Sequence, residues 1–259
     1  MIFGMPFLLE NESVADACKL CRELGLSFVE LNANFPVCHT ERLNADMLLQ
    51  LKETYGVGFT LHVEEECDPF AFQRGVREAW KDSFCSALRL AKATDMPIVN
   101  MHLPRGVYIT LPAGKVYLYE QYREEVHTAL ADFRRMCEAE LLGSRVRIAV
   151  ENTNGFKPHE LAALDYLLES PVFGLTLDIV HLHGAGEVDL PCYEARAEKL
   201  IHMHGHDAMG RKDHLALGDG EIDLKARFRQ AKESNARMVL ETKTVQALRT
   251  SVQRLPAWL

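Results

Sequence analysis

No stretch of this 259-residue chain comes near the roughly eighteen consecutive apolar residues that a membrane-crossing helix needs. The opening Met-Ile-Phe-Gly-Met-Pro-Phe-Leu-Leu-Glu also lacks the basic start of a secretory leader, so a soluble, cytoplasmic protein is expected. Positive charge is in short supply: 29 Lys and Arg stand against 37 Asp and Glu, for a net charge of −8. Nucleic acids and anionic membranes demand a positive footprint, and this balance argues against both as general partners. Linkers, low-complexity tracts and charge blocks are missing too, which leaves residues 1–259 as one expected domain. A domain of this size buries roughly three-quarters of the surface its unfolded chain exposes.

Cysteine is present but not as a disulfide framework. Seven residues, an odd number, are scattered at Cys18, Cys21, Cys38, Cys67, Cys85, Cys137 and Cys192, and reduced thiols are expected. Cys18-Lys-Leu-Cys21 has metal-site spacing, yet no second such pair or nearby histidine pair completes it, so it reads as two small residues of a helix.

What the chain does have is alternation. Short apolar, β-branched runs are followed by longer helical patterns, eight times over: Ile2 to Phe7, Phe28 to Leu31, Gly58 to His62, Ile98 to His102, Val146 to Glu151, Gly174 to Asp178, Leu200 to His204 and Met238 to Glu241. Such alternation means parallel strands with crossover helices, and eight units allow closure into an α/β (βα)8 TIM barrel. Ser13 to Leu24 reads as a helix capped by Ser13, and Asn44 to Tyr55 as another with Met47, Leu48 and Leu51 on one face. Pro97, the Gly56/Gly58 pair and Ser170-Pro171 punctuate helix-to-strand junctions. The connection after the fourth strand differs: residues 104–119 carry two alternating runs about Ala113-Gly114, a hairpin inside a βα loop. On the catalytic face it would serve as a lid or as a dimer contact.

Polar residues of catalytic type sit where these strands end: His62, His102, Glu151, Asp178, His204 and Glu241, with His181 and His214 close behind. In a barrel all these ends open onto one mouth. Carboxylates converging in a partly desolvated mouth repel one another, and a divalent cation is the economical way to neutralise them. Mixed oxygen and imidazole donors suit Zn or Mn, with Co or Fe as further options, one to two ions per chain. Taken singly, each residue has a plainer role, an Asp capping a helix or a His donating to a carbonyl. Along Leu200 to Gly205 the side chains alternate, so His202, His204 and His206 share a side; His204 occupies the strand end and is the expected ligand, with His206 its competitor.

The segments Leu-His62-Val, Asn-Met-His102-Leu-Pro, Val-Glu151-Asn-Thr, Leu-Asp178-Ile-Val-His181, His204-Gly-His-Asp207, the run from His214 to Gly218-Asp-Gly220-Glu-Ile, and Leu-Glu241-Thr together resemble the xylose isomerase-like barrels, over essentially the whole chain. That group includes sugar isomerases, ketose epimerases, inosose dehydratases and the endonuclease IV branch. The resemblance implies one metal site on Glu151, Asp178, His204 and Glu241, with Glu151 and Glu241 as the acid/base pair. It also implies, through the endonuclease IV branch, a further ion on His62, His102 and Glu151, and a third on His181 and His214. Lys212 stands where that branch has the Asp of its third site. Lys157 stands where ketose epimerases carry a second glutamate.

The leading expectation is therefore a metal-dependent sugar or sugar-phosphate isomerase/epimerase working through an enediolate. Its substrate contacts are expected from His62, His102, His181, Lys157, Arg105, Arg211 and Lys243, with Phe156 and Tyr108 as an apolar wall. The alternatives are an endonuclease IV-like phosphoesterase and a noncatalytic sugar-binding barrel. Duplex DNA is disfavoured by Glu64, Glu65, Glu66 and Asp68 on the rim after His62. A homo-oligomer is possible.

Overall fold

The computed structural model describes all 259 residues. Twelve strands form: β1 (Ile2–Pro6), β2 (Phe28–Asn32), β3 (Gly58–His62), β4 (Ile98–His102), β5 (Tyr108–Leu111), β6 (Gly114–Tyr117), β7 (Arg147–Glu151), β8 (Phe173–Asp178), β9 (Leu200–His204), β10 (Asp207–Met209), β11 (Lys212–Leu215) and β12 (Arg237–Val239). Strands β1, β2, β3, β4, β7, β8, β9 and β12 pair in that order and close into a parallel barrel, with β12 beside β1. The chain is thus a single TIM barrel, the architecture expected from its alternation.

Helices begin where side-chain oxygens can satisfy the free amides of a first turn. Ser13 accepts from Asp16 N at the head of Val14–Glu23, Asn44 from Asp46 N and Met47 N at the head of Ala45–Tyr55, and Thr244 from Ala247 N at the head of Val245–Arg254. Cys18 and Cys21 lie in the first of these helices as buried free thiols, and burial pushes each thiol pKa up to about 12.

The barrel interior departs from an all-apolar filling. Glu30, Thr60, Asn100, Thr176, His202 and His204 are all buried. The register places Glu30 against Thr60, Thr176 against His202, Asp178 against His204, and His102 against Glu151. Because side chains two apart on a strand face the same way, the pairs Asn100/His102, Thr176/Asp178 and His202/His204 form successive interior layers. A buried polar layer is tolerable only when bonded throughout. Here Thr60 Oγ1 donates to Glu30, Thr176 Oγ1 to Asn100 Oδ1, and Asn100 Nδ2 to Glu151.

Two hairpins decorate the mouth. Strands β5 and β6 form the expected one, turning through Pro112 and Ala113. Its root is held by Leu118 N donating to Val107 O and by Tyr119, whose hydroxyl donates to Asp68. Beyond the root Tyr108, Ile109 and Leu111 are exposed. The second, β10 with β11, was not anticipated: its short strands are polar and carry no alternation to read.

Buried Asp207 organises the loop that follows. Its Oδ2 accepts from Gly218 N at 2.9 Å and Gly220 N at 3.0 Å, and its Oδ1 from Ala208 N at 2.9 Å and Ile222 N at 3.2 Å. The two glycines serve different ends. Gly218 takes a left-handed φ of 85°, whereas at Gly220 a Cβ would lie 2.2 Å from Ala208 O and 2.3 Å from Asp207 Oδ1. Gly220→Ala is expected to cost about 1–3 kcal/mol, since backbone and a buried carboxylate must both give way. Gly75→Ala, in the helix Arg74–Thr94 with open space around it, should gain about 0.4–1 kcal/mol. Urea unfolding of the two variants checks the contrast; equal midpoints would refute it.

Candidate metal centre at the carboxyl ends of the strands

Asp178 ends β8 and also caps the helix Ile179–Gly184. Its two oxygens divide the work. Oδ1 accepts from Val180 N and His181 N, both at 2.7 Å, while Oδ2 faces His206 Nε2 at 3.0 Å and His204 Nδ1 at 3.8 Å. The plain capping role and the chemical role are therefore both present, on different atoms. Asn152 locks the strand end: its Oδ1 accepts from Asp178 N and from Tyr193 OH, and its Nδ2 donates to Asp178 O.

Glu151, at the end of β7, is buried and lies among four imidazoles. His204 Nδ1 is 3.1 Å from Oε1 and His181 Nδ1 3.6 Å from it, while His62 Nε2 and His102 Nε2 are 3.3 Å and 3.6 Å from Oε2. Glu241 reaches in from the far side of His204, with Oε2 3.0 Å from Nδ1, and its Oε1 meets Lys243 Nζ at 2.7 Å. One imidazole nitrogen, His204 Nδ1, thus faces Glu151, Asp178 and Glu241 together. Donor atoms of Glu151, Asp178 and His204 lie within 4.8 Å of one another, as do those of His62, His102 and Glu151, and those of His206, His214 and Glu241. Such spacings suit the tetrahedral or larger shells of first-row divalent ions, so the donor set fits a metal.

Electrostatics show how strongly these groups depend on one another. Burial alone would raise the Glu151 carboxyl, but His204 and His102 outweigh it and hold the pKa well below the usual range. For Asp178 burial is likewise overcome by His206 and His181, and for Glu241 by His204. Burial alone would depress the imidazoles; instead the carboxylates raise His204 well above its ordinary value, and Glu151 raises His62 to about 9.

The remaining expected contacts divide. His62 donates Nδ1–H to Val63 O at 2.7 Å, which turns its Nε2 toward Glu151, and His181 donates Nδ1–H to Asn152 O at 2.9 Å, which leaves its Nε2 free. His214 donates to Glu241 O at 3.0 Å and stacks on His206 with ring centres 4.4 Å apart. Lys243 joins the cluster through Glu241. Three basic residues are placed otherwise. Arg105 bonds buried Glu160, at 3.0 and 3.1 Å, and Gly155 O at 2.9 Å. Lys157 precedes the helix Pro158–Leu168, its backbone N–H donating to Glu160 Oε2 at 2.8 Å, and Arg211 is exposed at the β10–β11 turn. Tyr108 stands exposed on its hairpin against Tyr117 and Lys115, and Phe156 packs near Tyr193.

Sequence reasoning missed Glu30. It lies inside β2 rather than at a strand end, in a run, Phe-Val-Glu-Leu-Asn, that carries no motif. The available signal was a lone carboxylate at a barrel-facing position. Its Oε1 accepts from His204 Nε2 at 2.8 Å, and its Oε2 accepts from His202 Nε2 at 2.8 Å and Thr60 Oγ1 at 2.9 Å.

A closed barrel with acidic and imidazole donors at its carboxyl mouth is matched by one family profile, the xylose isomerase-like TIM barrel, over residues 18–259. The chain belongs to this family. No curated protein sequence matches it. Among solved structures, a D-tagatose 3-epimerase-like protein superposes with TM-score 0.80 at 22% identity, covering 100% of this chain and 97% of its own. The 3-keto-D-glucoside 4-epimerase of E. coli does so with TM-score 0.78 at 15% identity, covering 99% of each. The IOLI protein, solved with a bound zinc atom, reaches 0.75 at 16% identity, covering 100% of this chain and 98% of its own. At these identities the likeness is one of fold. No helix of this family member is long and apolar enough to cross a membrane.

The placement of Arg105 carries its own test. Glu160 is 1% exposed, so Arg105→Met would strand a buried carboxylate and is expected to cost about 3–5 kcal/mol in urea unfolding. A stability within 0.5 kcal/mol of the parent, roughly that of an ordinary surface change, would refute a structural role for this ion pair.

Proposed function

We propose that this chain is a divalent-metal-dependent sugar or sugar-phosphate isomerase/epimerase that moves a proton through an enediolate. The observation carrying the reading is the convergence of Glu151, Asp178 and Glu241 on the single nitrogen Nδ1 of His204. These four would hold the ion. Zn or Mn fits the donors best, Co or Fe next. When bound, the ion would polarise a substrate carbonyl and stabilise the charge of the enediolate.

The chain's own groups supply the rest. Glu151 and Glu241 approach His204 from different strands, β7 and the end of β12, so one could remove a proton from the substrate carbon while the other returns it. Asp178, held by two amides and by Asn152, has no freedom to rotate away. The free Nε2 of His181, together with His62, His102 and Lys243, would be available to substrate hydroxyls. Support also comes from the fold's company: the D-tagatose 3-epimerase-like protein, the 3-keto-D-glucoside 4-epimerase and a D-allulose 3-epimerase from Methylomonas sp. solved with D-allulose.

A second reading has one observation in its favour. His62, His102 and Glu151 form a further donor set sharing Glu151, which suits two-metal phosphoester hydrolysis of the endonuclease IV type. Against a duplex substrate stand the net charge of −8 and the acidic run Glu64 to Glu66.

The deciding experiment incubates the metal-loaded protein with a panel of ketohexoses and their phosphates in heavy water. The expected result is one deuterium gained at carbon with each turnover, abolished by chelator and restored by Mn, Co or Zn. Glu151→Gln and Glu241→Gln should each slow it by about 10²- to 10⁴-fold. Cleavage of an abasic oligonucleotide with no exchange into any sugar would replace this reading by the second. Sugar binding with no exchange at all would make the protein a noncatalytic binder.

A further inference from the structure

We infer that Glu30 is a positioning residue which fixes the tautomer of His204, so that His204 meets a metal through Nδ1 and never through Nε2. This rests on the reading of Glu151, Asp178, His204 and Glu241 as a divalent-ion site. An imidazole has two nitrogens and can present a lone pair from only one while the other carries a proton. Nε2 of His204 donates to Glu30 Oε1 at 2.8 Å, on the inner side of the barrel. Nδ1 is left facing Glu151 Oε1 at 3.1 Å, Glu241 Oε2 at 3.0 Å and Asp178 Oδ2 at 3.8 Å.

Glu30 is itself held. It is 3% exposed, and its second oxygen accepts from His202 Nε2 at 2.8 Å and Thr60 Oγ1 at 2.9 Å. Thr60 is its register partner across β2 and β3, and His202 lies one interior layer below His204 on β9, so three strands locate one carboxylate. A buried carboxylate bonded to the back of a ligating imidazole sets the ring's orientation and raises its basicity, and losing such a partner typically weakens metal binding about 10- to 100-fold.

The same three residues could be mistaken for an ion site of their own, because donor atoms of Glu30, His202 and His204 lie within 4.8 Å of one another. Their contacts argue otherwise. Ligands around an ion at about 2.0–2.1 Å in tetrahedral geometry stand roughly 3.3 Å apart. Both Glu30–imidazole contacts are direct hydrogen bonds of 2.8 Å, and the Thr60 hydroxyl fills a further acceptor site. Three donors already satisfy the carboxylate.

The test is zinc affinity, by competition with a chromophoric chelator, together with ¹⁵N NMR of the imidazoles in the zinc-loaded full-length protein. Wild type should show His204 with its proton on Nε2 and a metal-shifted Nδ1. Glu30→Gln should bind zinc about 10- to 100-fold more weakly and lose that Nε2–H signature. Thr60→Val, which loosens Glu30 without touching the ring, should weaken zinc in the same direction by a smaller factor. If Glu30→Gln does not fold, Thr60→Val and the wild-type spectrum decide. The inference is overturned by a folded Glu30→Gln with zinc affinity within twofold of wild type, by a wild-type spectrum showing Nε2 bound to metal, or by a second zinc that Glu30→Gln abolishes. Wild type that takes up no divalent ion would bring down the metal-site reading first and this inference with it; zinc bound normally by every variant would sink this inference alone.

Discussion

Everything at the mouth of this barrel follows from placing Glu151, Asp178 and Glu241 where water cannot reach all of their charge. An isolated carboxylate in such a place would take up a proton, because desolvation penalises the charged form. Here each stays ionised because imidazoles surround it: His204 touches all three, His206 touches Asp178, and His62 and His102 flank Glu151. Lys243 adds a further positive charge at Glu241 Oε1. The polar layers below hold these groups in one geometry.

Backbone chemistry and side-chain chemistry share the same atoms. Asp178 ends a strand, opens a helix with one oxygen and faces the cluster with the other. Capping immobilises the carboxylate, so the free oxygen points one way at little further entropic cost. Asn152, Thr176 and Tyr193 tie the tops of β7 and β8 together around it. A site built on strand ends braced by such bonds is more sharply positioned than one carried on loops. One basic residue that a loop brings near the mouth is drawn into structure: Arg105 neutralises buried Glu160.

Periodicity told a great deal. The eight barrel strands form within a residue or two of the expected apolar, β-branched runs, and Ser13 and Asn44 cap helices as their positions suggest. The hairpin at 108–117 announced itself by two alternating runs about a turn. What periodicity could not reveal was anything without a local pattern. The β10–β11 hairpin is too short and polar, and Glu30 sits in mid-strand with nothing in its neighbourhood to mark it. The pairing of Arg105 with Glu160 joins residues 55 positions apart, beyond any sequence window.

The amino-acid order by itself determined the class of fold and the inventory of donors, because strand and helix periods and strand-end chemistry are local properties that each segment expresses alone. Only the closed barrel decided which donors meet. Barrel closure set His204 beside Asp178, brought Glu30 within 2.8 Å of both His202 and His204, and turned one oxygen of Asp178 toward His204 and His206. Those contacts join residues as many as 174 positions apart, and only the tertiary structure could select among the pairings the sequence permits.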